Sequence, residues 1–233
     1  MIASCRLDVG RPGPCAFRWL LGVGLALLAP AWSAAADIET RDFHVTVDGK
    51  HGGDAHMTIH RQDDGTVSMQ CDTDITLFFF GGLKKYIYVY RGKEVWKGGR
   101  LQRLDSTCND DGKRFAVSAV IEGNGLRVRV NNSERMARGD VWLTSYWCLP
   151  DKKLRDGVIA LIDSDTGRDL EGRLSFVGAE QRGVAGQSVT LNHYRLVGKV
   201  NVDLWYDGSE RLVRQEWLEE GHRTVLELTH IRR

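Results

Sequence analysis

Residues 66–77 read Thr66-Val67-Ser68-Met69-Gln70-Cys71-Asp72-Thr73-Asp74-Ile75-Thr76-Leu77. Val67, Met69, Cys71, Thr73, Ile75 and Leu77 alternate with polar partners. A period of two places one set on a buried face and the other in water, which is a half-buried β-strand. The same alternation runs outward in both directions. Upstream, Phe43, Val45 and Val47 alternate with His44, Thr46 and Asp48, and Met57 and Ile59 follow a break at Gly52-Gly53. Downstream, Leu101 and Leu104 start a strand, then Phe115, Val117, Ala119 and Ile121 alternate, then Leu126, Val128 and Val130. Asp63-Asp64-Gly65, Asn109-Asp110-Asp111-Gly112, Gly123-Asn124-Gly125 and Asp207-Gly208 separate these runs with residues that favour tight turns. The fold class that follows is all-β: a curved antiparallel sheet or half-barrel, closed enough to protect its edges.

Two stretches break the alternation. Tyr86-Ile87-Tyr88-Val89-Tyr90 is apolar or aromatic on both faces, which predicts a strand covered on both sides, and Val158-Ile159-Ala160-Leu161-Ile162 reads as a short apolar strand. Residues 131–157 carry Pro150 and mixed patterning, and Val141 to Trp147 reads as a short helical turn or an irregular plug across one opening.

The chain begins differently. Arg6, Arg11 and Arg18 precede the apolar run from Trp19 to Ala29, and Pro30 and Ser33-Ala34-Ala35-Ala36 follow it. A basic start, a short apolar stretch and small residues make a cleavable secretory signal, residues 1–36, with one β domain over 37–233. The apolar run is shorter than the ~20 residues a spanning helix needs. No cysteine follows it to carry a lipid, so the expected product is exported, periplasmic or extracellular, with no integral span. The whole chain has 32 Lys and Arg against 31 Asp and Glu. The leader takes three arginines and one aspartate, so the remainder has a net charge of −1. That leaves no basic excess for nucleic acid.

Cys71, Cys108 and Cys148 remain after the leader, an odd number for an oxidising compartment. Cys71–Cys108 is the pair favoured by two strand positions in one meander, and three free thiols is the alternative. No Cys-x-x-Cys spacing supports zinc.

Candidate chemistry is sparse. Asp163-Ser164-Asp165-Thr166-Gly167 closes an apolar strand and resembles a phosphatase or aspartic-protease loop. The first needs βα units downstream and the second needs a partner carboxylate, and neither is present in the sequence. A hydrolase using Asp163 and Asp165 is therefore an alternative reading, and with Asp169 these residues offer oxygens to calcium. The simpler reading is a turn. His44, His51, His56 and His60 cluster early, with His56 and His60 on one strand face. No carboxylate pattern completes a familiar metal signature, so no metal and no cofactor are assigned.

Aromatics are the other feature. Tyr86, Tyr88, Trp96, Trp142, Trp147 and Trp205 are candidate ligand-binding residues, lining an apolar cavity or groove within the curved sheet. Such side chains also build cores. Phe78-Phe79-Phe80 is a candidate docking surface for an envelope partner protein.

Three strings together resemble a known family. They are Glu94, Trp96, Gly98, Leu101 and Leu104 with Thr107, Asp110 and Gly112; Tyr146-Trp147 ahead of Asp165-Thr166-Gly167; and Tyr194-Arg195-Leu196 with Gly198, running into Val202, Leu204-Trp205-Tyr206-Asp207 and Arg211-Leu212-Val213. Their order resembles exported bacterial β-proteins catalogued as a domain of unknown function, over about residues 43–228. In outline that family is similar to envelope proteins with curved sheets, some of which carry lipids or lipoproteins. The resemblance implies a non-enzymatic protein that binds an apolar or amphiphilic ligand.

Overall fold

The computed structural model describes residues 37–79, 84–155, 157–184, 186–219 and 221–233. The expected leader and Phe80 lie outside the described residues, as does the side chain of Phe79.

The described residues form fifteen strands: β1 (Asp37–Val47), β2 (Lys50–Arg61), β3 (Thr66–Phe79), β4 (Lys84–Lys97), β5 (Arg100–Asp110), β6 (Lys113–Glu122), β7 (Gly125–Val130), β8 (Ser133–Arg138), β9 (Val141–Leu143), β10 (Val158–Ile162), β11 (Asp169–Val184), β12 (Gln187–Gly198), β13 (Val202–Tyr206), β14 (Leu212–Glu219) and β15 (His222–Arg232). All join one nearly closed, barrel-like sheet. Its order is β8-β7-β6-β5-β4-β3-β2-β1-β15-β14-β13-β12-β11-β10-β9, so the first and last strands of the chain pair at its centre. Neighbours are antiparallel except β9 and β10, which run parallel.

Local chemistry sets the hairpins. Asp48-Gly49 and Asp111-Gly112 are two-residue turns with positive φ at both positions: 50° and 77°, and 46° and 94°. That backbone matches the twist of the flanking strands. Gly52-Gly53 does not break the chain: it lies within β2 as a bulge, with Val45 opposite Gly53 and Thr46 opposite His51. A second bulge, in β5, explains how Leu101 and Leu104, three apart, are both fully buried.

The sheet rolls so that its last strands lie inside its other end. Val141, Leu143 and Ile162 pack with Leu101, Leu104, Val117, Ala119, Leu126 and Val128 in one cluster. Trp142, Ile159 and Leu161, the other faces of β9 and β10, belong to the larger core. Both sides of this pair are therefore covered. At the roll's seam the Ser106 hydroxyl donates to the Ser164 carbonyl at 2.5 Å. There Gly167 leaves no room for a side chain: a Cβ would meet Val130 Cγ2 at 2.4 Å.

A parallel pair needs a crossover, and its first part, residues 144–150, runs through the interior before the exposed turn at 151–153. Tyr146, Trp147 and Leu149 are buried there. The expected plug is this segment, while 133–138 and 141–143 are strands and 152–154 a 3-10 turn. Its backbone is satisfied from the walls. Tyr206 donates to Tyr146 O at 2.9 Å, Arg41 to Trp147 O at 2.7 Å, and Trp142 Nε1 to Cys148 O at 3.1 Å.

All three cysteines are free thiols. The Cys71–Cys108 pairing is not formed. Cys71 lies opposite Gly92, and Cys108 opposite Tyr90, on the intervening β4. Two strand spacings are about 9.6 Å, beyond the ~7 Å Cα separation a disulfide spans.

Candidate functional site

The crossover fills one end of the roll. At the other end lie the hairpin turns 48–49, 111–112, 131–132 and 163–168, and here the inner face is incompletely covered. Ile75 and Leu77 of β3 stand opposite Tyr88 and Tyr86 of β4, and Tyr88 stands opposite Asp110 of β5. Phe115 lies beside Cys108 on β6, and Trp217 comes from β14. Ile75, Leu77, Tyr86, Tyr88, Phe115 and Trp217 are all half-buried, whereas inward side chains farther along these strands, such as Met69, Cys71, Tyr90 and Leu104, are buried. Phe78 is 64% exposed at this rim.

Few polar groups enter this apolar rim. Tyr86 donates to Asp110 Oδ1 at 2.8 Å and Tyr88 to Asp165 Oδ2 at 2.6 Å. Burial, and then the Asp163 carboxylate, push Asp165 up from 3.8 to about 7, against the pull of the Tyr88 hydrogen bond. Burial followed by Asp165 raises Tyr88 as well. Trp217 Nε1 donates to Glu219 Oε2 at 3.0 Å, and Glu219 adds to the upward push on both Asp165 and Tyr86.

Asp163 and Asp165 are close, but they do different work. Asp163 holds its own turn: Oδ2 accepts from Thr166 Oγ1 at 2.5 Å, and Oδ1 from the Asp165 amide at 3.2 Å. Asp169 pairs with Arg135 at 2.7 Å. Burial pushes the Cys71 and Cys108 thiols up to about 12, so neither is a thiolate nucleophile. Ser106 and Thr144 hydroxyls are engaged with the 163–164 turn. No nucleophile–base pair forms at this rim among the described residues. The arrangement suits binding better than catalysis.

The other sequence candidates lie elsewhere. Trp96 and Trp147 donate from Nε1 to the same oxygen, Glu94 Oε2, at 2.7 and 2.9 Å. Glu94 is completely buried, and desolvation raises its pKa even though both indoles and Ser145 oppose it. Trp142 meets Tyr146 edge-on at 4.8 Å. Trp205 is buried and belongs to the larger core. It stacks on His193 at 4.4 Å, lies under the guanidinium groups of Arg182 and Arg214 at 5.0 and 5.6 Å, and donates to Glu180. Of the six aromatic candidates, then, Tyr86 and Tyr88 meet at the rim. The sequence did not single out Asp165, Ile75, Leu77, Phe115 and Trp217 as one group, and only the inward parity of their strands hinted at it. His56 is held by Asp42 at 2.5 Å, and His60 lies opposite Ser68.

Fold and site define a barrel-like all-β protein with an aromatic rim that holds a proton-retaining carboxyl. The chain matches the family described as a domain of unknown function, DUF6134, over residues 43–229, and it belongs to that family. The resemblance read from its motifs is to that kind of family. No curated protein matches it in sequence. A solved β-barrel-like protein of the domain of unknown function DUF1849 from Brucella abortus is similar in fold. Its TM-score is 0.57 at 9% identity, covering 83% of this chain and 96% of that one. A domain described as an outer membrane lipoprotein-sorting protein, from Vibrio parahaemolyticus, covers 84% of each chain at 10% identity. Its TM-score of 0.24 is too low to carry an argument.

Proposed function

We propose that this is an exported envelope protein that binds an apolar or amphiphilic ligand at the open rim of its rolled sheet, without chemical turnover. The observation that carries this is the contrast between the two ends of the interior. One end is filled by Tyr146, Trp147 and Leu149, and the other leaves six apolar or aromatic inward side chains half-exposed. Apolar surface at a concave rim with few polar groups is what ligand sites are made of. Asp165, Asp110 and the Tyr86 and Tyr88 hydroxyls would meet the polar part of an amphiphile. Export rests on the leader read in residues 1–36. None of the helices among the described residues is long and apolar enough to cross a membrane.

The test uses protein purified from its own compartment and the fluorescent apolar probe N-phenylnaphthylamine. Ile75→Glu places a charge on the half-exposed rim and should weaken probe binding at least about tenfold, one step of roughly 1.4 kcal/mol. Val158→Glu, at a side chain 64% exposed elsewhere, should leave it unchanged. Native mass spectrometry should show a co-purifying adduct. A clean apo mass together with equal probe binding by both variants would sink the reading.

A further inference from the structure

The outer face of the sheet carries histidines and carboxylates in rows. His230, Asp42, His56, Asp72 and Arg91 stand opposite one another across β15, β1, β2, β3 and β4. The next row is Glu227, His44, Asp54 and Asp74. Most of these groups are neutralised locally. Asp42 takes His56 at 2.5 Å and Arg232 at 2.9 Å. Asp74 takes Arg91 at 2.8 Å, and Glu227 takes Arg214 at 2.9 Å.

Three groups form a set of a different kind. His44 Nδ1 lies 2.6 Å from Asp54 Oδ1, and His51 Nε2 lies 3.8 Å from Asp54 Oδ2. The two imidazoles meet edge-on, 5.1 Å between centroids. One donor atom from each of the three residues lies within 4.8 Å of the others. All three side chains are reachable from water, at 58%, 57% and 64% exposed.

This convergence depends on the bulge. In a regular strand, residues 51 and 54 point to opposite faces. The extra residue, Gly52, turns His51 onto the side of Asp54, and His44 faces Asp54 directly from β1. Gly53 is required by the backbone beside it, whereas the neighbour of Gly52 is the end of a flexible side chain. A Cβ at Gly53 would lie 1.9 Å from the Asp74 carbonyl oxygen, and one at Gly52 would lie 2.8 Å from Leu77 Cδ2. Bulges re-aim side chains in this way beside functional sites.

The geometry points to a divalent transition-metal site formed by His44, His51 and Asp54, of the borderline class that includes zinc. Two imidazoles and one carboxylate are the donors that class prefers, whereas calcium and magnesium call for oxygen ligands. Tetrahedral bonds of ~2.0–2.1 Å place donors about 3.3 Å apart. The present separations bracket that value, and exposed side chains can close the difference by small rotations. Binding through His44 Nδ1 takes the tautomer that carries its proton on Nε2, and Asp54 then turns its carboxylate from the imidazole to the metal. Three protein ligands leave a fourth position for water or a small external ligand. With Asp74 and Glu227 already paired to arginines, Asp54 supplies the site's negative charge.

The purified protein, carrying no histidine tag and stripped with EDTA, is titrated with Zn²⁺ by calorimetry and with Co²⁺ by visible absorption. The expected result is one equivalent bound, with cobalt bands of a nitrogen- and oxygen-ligated ion. His44→Ala and His51→Ala should each weaken binding at least tenfold, and His60→Ala, on the same strand, should not. Far-ultraviolet dichroism confirms that each variant is folded. Absence of a saturable equivalent in the parent protein would overturn the site. So would parent-like binding by His44→Ala and His51→Ala, or a loss confined to His56→Ala.

Discussion

Replacing Asp165 with Asn tests the rim most directly, because its carboxyl keeps its proton far above the usual range. The folded protein releases that proton near pH 7, while the unfolded chain releases it near 3.8. Between those values the folded state binds more protons than the unfolded state, so stability falls as pH rises. A shift of this size corresponds to at most about 4 kcal/mol. The side chain is half-buried, and solvent screening reduces that to roughly 2–4 kcal/mol. Carboxylates with lowered values, such as Asp42, Glu210 and Glu216, act with the opposite sign, losing stability as pH falls through their folded-state values. Their effect lies below about pH 5, under the range from pH 5 to 8 in which the two proteins are compared. Glu94, also raised, acts in the same direction as Asp165 and is present in both proteins.

Urea unfolding at pH 5 and pH 8 should therefore find Asp165→Asn about 1–2 kcal/mol more stable than the parent at pH 5, where the unfolded carboxyl is already ionised, and about 2–4 kcal/mol more stable at pH 8, with the gap widening as pH rises. Tyr88→Phe, which removes the hydrogen bond holding Asp165 down, should move the transition to higher pH. A difference between parent and Asp165→Asn that stays constant from pH 5 to 8 would refute the argument.

Trp147→Ala should cost about 3–5 kcal/mol, the usual range for removing a large buried aromatic, and Trp147→Phe about 1.5–3 kcal/mol for the lost hydrogen bond to Glu94. Urea midpoints at an unchanged m-value measure both, and equal costs would remove Glu94 from the account. Burial holds Cys71, Cys108 and Cys148 at about 12, so native protein at pH 8 should react only slowly with a thiol-specific disulfide reagent, and denatured protein should yield all three thiols. Fast native labelling of any one of them would contradict its place in the core.

Strand character and inward faces were legible residue by residue. Val67 to Leu77 alternates because one side of β3 meets the core. Asp48-Gly49 and Asp111-Gly112 turn where only residues tolerant of positive φ can serve. The apolar run at 158–162 marked a strand, and the roll of the sheet covers both of its faces. Gly52-Gly53 was misleading, since a bulge and a strand break use the same residue type. Trp205 was ambiguous: an aromatic in an alternating strand looks the same whether it lines an open site or, as here, is buried beside a histidine and two guanidinium groups.

By itself, then, the sequence determined an all-β chain, the phase of most strands and the positions of its tight turns, because each depends on backbone preference and on neighbours two to four residues away. Tertiary structure alone decided which end of the interior is filled and which rim stays open. Tyr88 reaches Asp165 across 77 positions, and Trp147 reaches Glu94 across 53. Alternation tells which side of a strand is buried, but what lies against that side depends on how the whole sheet rolls.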